Sequence, residues 1–495
     1  MAAEFPGKPS WVYARDFEWE SLANFASSSS PRVRLGVVSG RRRQGKTFLL
    51  RALAEATGAF YYAAAEATSA DSLRDLGAAM AAHAGAAAPY ALGDWNHALR
   101  AIRETVPDGL AIIDEFPYLT RADPALPSLL QRALDDQAWG GRGQGTRFLL
   151  CGSAMSVMGG LLAGNAPLRG RSSLEMLVAP FDHRTAARFW GIENDPELAV
   201  LVHSIAGGTP AYRSEFIADD VPASREDFDD WVVRTVLNPA IPLFREARYL
   251  LAEETDIREP ALYNSVLGAI AAGNATRGGI ANYVGRRSSE VMHPLNVLED
   301  ARLITREGDP FHARNSLFRI AEPLITFYEA VMRPAWTQLE QRQSRAVWRR
   351  QRSAFLSGVV GPHFEALCRT WAAQAGPDVF GDFPAQVAAA TISDAVNRTR
   401  IEVDVVVLSS GTPDVPTRVL SLGEAKWGEV IGLGHLERLR RARDLLSVKG
   451  HRASDAILAC YSGAGFSPEL RALAQNDPKV LLVNLERLYR QPEGE

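Results

Sequence analysis

The chain has 495 residues, 46% of them hydrophobic and 23% charged, with a formal net charge of −4. That length is too great for one core and predicts about three domains. The apolar content excludes a disordered or fibrous chain, and the charge excludes a uniformly basic nucleic-acid coat, so any basic face must be local.

Arginine heavily outnumbers lysine, which occurs only at positions 8, 46, 426, 449 and 479. Cys151, Cys368 and Cys460 stand singly, without a metal-ligand spacing, and read as buried thiols of a reducing compartment. The opening MAAEFPGKPS lacks the apolar run of a signal peptide, and no stretch reaches about 18 uncharged apolar residues. A cytoplasmic protein without a membrane partner is expected.

In chain order, VRLGVVSG is a short apolar strand, covered on both faces if its sheet is parallel. TFLLRALAEATG follows as a helix closed by Gly58. GAFYYAAA is a strand, and an Ala-rich helical region runs to about Arg103. GLAIIDEF is a strand, SLLQRALDDQAW a helix and TRFLLCGS a strand. Strands alternating with helices predict an α/β fold with a doubly wound parallel sheet. After Pro180 the strand signal stops, residues 181 to 260 read as helical, and GGTPAY forms a sharp turn.

Residues 261–320 read as helix, short helix, longer helix and hairpin, a winged-helix outline. Arg286, Arg287, Ser288 and Ser289 precede its third helix, where phosphate and base contacts to DNA would be made. Residues 321–358 form a helical connector, basic over 342–352, in which Trp336 and Trp348 pack. From 359 a further α/β unit begins, with the helix FEALCRTWAAQAG, the strands RIEVDVVVLS and RVLSLGEAKW around the turn SGTPD, the helix GHLERLRRARDLL, and the strands DAILACYSG and VLLVNLE.

Two stretches carry chemistry. Gly40-Arg41-Arg42-Arg43-Gln44-Gly45-Lys46-Thr47 fits GxxxxGK[ST] between a strand and a helix. The backbone N–H groups of such a loop, with Arg43, Gln44 and Phe48 among its residues, cradle the phosphates of ATP at a helix N-terminus. Lys46 would reach the β- and γ-phosphates, and Thr47 would place its hydroxyl on Mg²⁺. On GLAIIDEF, Asp114 would hold the same ion through water and Glu115 would polarise the attacking water. Ser153, ending the next apolar strand, could orient that water, while Arg15 and Asp16 receive no role.

The arrangement GRRRQGKT, IIDEFPYL, CGSAMSVM, APLRGR and GGTPAY resembles the archaeal-type ATPase family of the STAND/AAA+ group. The resemblance runs along nearly the whole chain. It implies that Ser153 is a sensor, that Arg169 or Arg171 neutralises transition-state charge, with Arg171 preferred, and that Pro210 of Gly208-Thr209-Pro210 lies close to the nucleotide. It further implies a domain order of P-loop ATPase (1–180), helical lid (181–260), winged helix (261–320), connector (321–358) and restriction-endonuclease-like domain (359–495). Homo-oligomers fit the same class.

Asp404 inside IEVDVVV and Glu424-Ala425-Lys426 about twenty residues on match the PD-(D/E)xK nuclease pattern. There two carboxylates hold Mg²⁺ and a lysine assists the water or the leaving charge. Glu365 matches the acid that many members of that fold contribute from their first helix. Glu424 and Lys426 share a strand face, Glu402 is an auxiliary acid on the face of Asp404, and His435 is more often a solvent-facing histidine than a site residue. An acid among valines is costly unless something binds it. Two functions fit: an ATP-driven switch that binds DNA and carries this nuclease-like domain, in genome defence or mobile-element biology, or a STAND-type signalling scaffold whose C-terminal domain is inactive and binds a protein or RNA.

Overall fold

The structure is a computed structural model that describes residues 5–28, 32–135, 145–252, 259–312, 315–394, 397–411 and 417–490. The end of the helix expected over SLLQRALDDQAW and most of the turn SGTPD lie outside the described residues. The chain divides into two compact units, with the main break between Pro180 and Phe181.

The first unit holds five strands: β1 (Arg34–Ser39), β2 (Phe60–Ala63), β3 (Leu110–Asp114), β4 (Arg147–Gly152) and β5 (Ser172–Leu177). All pair in parallel, in the order β2-β3-β4-β1-β5. Alternate side chains enter two separate cores. Leu35, Val37, Ile113, Phe148 and Leu150 face one, and Val38, Ile112, Leu149 and Cys151 the other. This two-sided cover explains why β1, β3 and β4 read as nearly unbroken apolar runs.

β5 was not foreseen. Its sequence SSLEML alternates polar with apolar residues at a half-exposed edge, so it lacks the apolar run of its neighbours. The helix Lys46–Thr57 leaves the P-loop and stops where Gly58, at φ 66°, caps Ala54 O.

In the second unit the helices Pro196–Ala206, Arg225–Arg234, Ser344–Phe355 and Gly361–Gln374 share one core. Val200, Trp231, Trp348 and Phe364 lie in it beside Val405, Val407 and Tyr461 of the C-terminal sheet. The expected boundaries at 260, 320 and 358 therefore fall inside one compact unit. At the GGTPAY turn, a Cβ on Gly208 would stand 1.8 Å from Phe181 O, so only glycine lets the two backbone segments pass.

The helices Pro260–Ala271, Arg277–Val284 and Met292–Asp300 are followed by a hairpin of β6 (Ile304–Gly308) and β7 (Ser316–Ile320). Thr276 bridges to Leu317, adding a short third rung.

The C-terminal sheet has the order β12-β11-β10-β9-β8. Its strands are β8 (Pro384–Asp394), β9 (Thr399–Ser409), β10 (Val419–Lys426), β11 (Ile457–Ser462) and β12 (Val480–Asn484). β8, β9 and β10 run antiparallel, whereas β10, β11 and β12 run parallel. β8 also escaped the sequence reading, because AQVAAAT is alanine-rich and weak in strand propensity. The helix Leu433–Val448 covers the second face through Leu436, Leu439, Ala442 and Leu446. Among the described residues no helix is long and apolar enough to cross a membrane.

Candidate functional site

The first site lies at the C-terminal ends of β1, β3 and β4. Because β4 is inserted between β1 and β3, its end carries Ser153 between the P-loop and Glu115. The loop is held in backbone conformations that few residues adopt. Gly45 has φ 83° and Arg43 φ 67°, while a Cβ on Gly40 would stand 2.5 Å from Val178 O.

Thr47 Oγ1 donates to Asp114 Oδ2 at 2.8 Å, and Asp114 Oδ1 accepts from the Glu115 backbone N–H at 2.9 Å. Glu115 itself sits at φ 51°, a left-handed conformation that a non-glycine residue holds at a cost of about 1–3 kcal/mol. Ser153 Oγ lies 3.0 Å from each Glu115 carboxylate oxygen. Asp114 and Ser153 are buried.

Lys46 is buried too, and its Nζ donates to Arg41 O at 2.8 Å. Burial holds its ammonium below the ordinary value, with Glu115 and Asp114 partly restoring it. Hydroxyl and carboxylate oxygens side by side form the hard-oxygen donor set that Mg²⁺ takes. Thr47 and Asp114 fit that ion.

Three contributors were missed from sequence. Arg42 donates from Nε to Ser153 Oγ at 3.3 Å and from Nη2 to Tyr118 OH at 3.1 Å, so one loop arginine belongs to the site. Tyr61 OH donates to Asp114 Oδ2 at 2.8 Å, and burial followed by the Asp114 charge pushes its phenol well up. Arg15, left without a role, reaches Gln44 O with Nη2 at 3.1 Å. Tyr61, paired in register with Ile112, reaches Asp114 only because β2 lies beside β3, and nothing in sequence spacing points to Arg15.

Phe48 is half exposed, with its ring edge-to-face on Trp11 at 5.1 Å. Arg171 makes a two-pronged pair with Asp135, both contacts at 2.8 Å, while Arg169 donates to Gly164 O. Pro210 belongs to the second unit.

The second site lies within the second unit. Lys426 Nζ stands 2.8 Å from Glu424 Oε1 and 3.6 Å from Asp404 Oδ2, so one ammonium joins two carboxylates on adjacent strands. Asp404 Oδ2 also accepts from the Ala425 N–H at 2.8 Å. Glu424 is completely buried, and Arg438, from the covering helix, approaches its other oxygen to 3.4 Å.

Burial, then the Asp404 charge, raises Glu365 to about 7, and burial, then Glu424, pushes the Cys460 thiol up to about 12. Among the described residues no three His, Cys, Asp or Glu side chains converge to hold a metal. Two carboxylates joined by Lys426 nevertheless make a donor set that suits a hard divalent cation.

Other expected residues have different neighbours. Glu402 is exposed, and its carbonyl accepts from Arg438. His435 Nδ1 accepts from the Gly432 N–H, and its Nε2 lies 3.4 Å from Glu429. In the basic run Arg345 pairs with Asp230 and Arg352 with Asp229, Trp348 is buried, and Trp336 stacks on Phe244 at 4.6 Å. Arg286, Arg287, Ser288 and Ser289 are all exposed.

No family model matches the sequence. Over 309 residues the chain is 28% identical to an uncharacterised protein of Methanocaldococcus jannaschii, covering 62% of this chain, and it spans about 65% of that relative's length. Among solved structures, a Walker-type ATPase of Pyrococcus abyssi matches with a TM-score of 0.50 at 18% identity, over 66% of this chain and 99% of its own. The ORC2 protein of Aeropyrum pernix, solved in ADPNP–ADP complexes, matches at 14% identity over 70% of this chain and 98% of its own, with a TM-score of 0.42. Over the matched two thirds of the chain, which carries the parallel five-stranded sheet, the fold is that of the Walker-type P-loop ATPases.

Proposed function

We propose that this chain is an ATP-hydrolysing switch that binds DNA through a winged helix at 261–320 and carries a nuclease-like C-terminal domain. The observation that supports the ATPase reading best is the continuous chain Thr47–Asp114–Glu115–Ser153–Arg42. It sets a Mg²⁺ ligand pair beside a carboxylate whose orientation is held by a hydroxyl. Bound Mg²⁺ would draw charge from the phosphates. Lys46 and the loop N–H groups hold those phosphates, and Glu115 takes the proton of the attacking water. Arg171 acts as a finger only after leaving Asp135. Lys46→Ala should abolish phosphate release from ATP in a steady-state assay, and full activity in that variant would sink the assignment.

The helix–bridge–helix–helix–hairpin order of 260–320, with exposed Arg286 and Arg287, supports duplex binding, whose affinity should fall steeply as salt rises. Genome defence or mobile-element biology is the setting in which such a combination is useful.

A second reading is favoured by one observation. Two cations crowd the buried Glu424, Lys426 Nζ at 2.8 Å from one oxygen and Arg438 Nη2 at 3.4 Å from the other, as suits a nuclease-like domain that binds a protein or RNA and cuts nothing. A Mg²⁺- or Mn²⁺-dependent cleavage assay on wild type, Asp404→Ala and Lys426→Ala separates the two. Cleavage lost in both variants supports a nuclease; none in any form supports the scaffold.

A further inference from the structure

We propose that Arg369 is a positioning residue for the C-terminal acidic site, held in place by Glu307 of the β6–β7 hairpin. This rests on the reading of Asp404 and Glu424 as a divalent-cation site.

Arg369 lies on the helix Gly361–Gln374 one turn after Glu365, and its side chain is only 6% exposed. Burying a guanidinium costs several kcal/mol unless partners compensate. The partners here are unequal. Nη1 donates to the backbone carbonyl of Asp404 at 3.1 Å and stands 4.0 Å from the Glu365 carboxylate. Nε lies 3.8 Å from Glu307 Oε1, while Nη2 is buried with no hydrogen-bond partner. The side chain thus touches the backbone that presents one acid and approaches a second acid.

Glu307 is itself fixed from several directions. Its other oxygen accepts from Arg319 Nε across the hairpin at 2.8 Å. The hairpin is tied to β8, where Gln386 Nε2 donates to Gly308 O, and Phe311 in its turn packs on His451, in the loop after the helix Leu433–Val448, at 4.9 Å between ring centres. Glu307 therefore meets Arg369 because the hairpin is seated there, and Arg369 carries the hairpin's position to the Asp404 backbone.

Sign separates this from simple charge. Removing a buried cation beside a cation site should strengthen divalent-ion binding by electrostatics alone. Removing a positioning residue should weaken it. The test measures Mn²⁺ binding to the full chain without nucleotide, by the electron paramagnetic resonance signal of free Mn²⁺. Asp404→Ala defines the part due to this site.

Arg369→Gln should lower the affinity of that part at least fivefold. Glu307→Gln should lower it about threefold in the wild-type background and leave it unchanged in the Arg369→Gln background. Affinity that is unchanged or tighter in Arg369→Gln would overturn the proposal, as would an equal Glu307→Gln effect in both backgrounds. If Arg369→Gln fails to fold by circular dichroism, Arg369→Lys, which keeps the charge and loses the fork, takes its place in the cycle. Mn²⁺ binding indifferent to Asp404→Ala would instead refute the cation-site reading beneath it.

Discussion

Ser153→Ala removes one hydroxyl from the point where two charged groups of the first site meet. Its Oγ is 3.0 Å from both oxygens of Glu115 and 3.3 Å from Arg42 Nε, at a side chain 4% exposed. Hydrogen bonds to charged partners contribute about 1.5–3 kcal/mol each. On the proposed ATPase reading the bond to Glu115 orients the carboxylate for the attacking water, so its loss should appear in the barrier. At 1.36 kcal/mol per tenfold, kcat should fall about 10- to 150-fold. Lys46, Thr47 and the loop N–H groups are untouched, so nucleotide affinity, read with a fluorescent ATP analogue, should stay within about threefold. Without the hydroxyl, Arg42 and Glu115 can pair directly, which would make Glu115 a weaker base and act in the same direction. Ser153→Thr, which keeps a hydroxyl, should recover part of the rate. A folded Ser153→Ala protein with kcat within twofold of wild type would refute the orienting role of Ser153.

The remaining predictions concern stability. Leu149 is fully buried on the face of the first sheet shared with Leu49 and Leu53, so Leu149→Ala should destabilise the first unit by about 2–5 kcal/mol, checked by its thermal transition. Folded Glu365 titrates near 7, above its unfolded value, so between pH 4.5 and 7 the folded state holds a proton that the unfolded chain has released. This group's contribution to stability therefore falls as pH rises through that window, and Glu365→Gln in chelator should raise Tm more at pH 8 than at pH 4.5. An equal shift at both pH values would contradict the burial of that carboxyl.

What the sequence determined by itself is local and contiguous. The GxxxxGK[ST] stretch gathers its glycines, lysine and threonine within eight residues, so it is legible from one short segment. The strands β1, β3 and β4 were legible because both of their faces are buried, so their interior positions are apolar and only the ends are polar or charged. Glu424 and Lys426 were legible as neighbours because alternation along one strand puts them on the same side.

The tertiary structure decided what depends on partners far apart in the chain. The edge strands β5 and β8 carry half-exposed or alanine-rich sequences, whose strand character comes from pairing with β1 and β9. Arg42 has no role in the sequence pattern; β4, inserted between β1 and β3, brings Ser153 to it across 111 positions. Glu307 and Arg369 are linked only because the hairpin is seated on the C-terminal sheet. Helices that read as separate lid and connector share one core with that sheet, since side-chain burial follows the packing of surfaces and not the order of the chain.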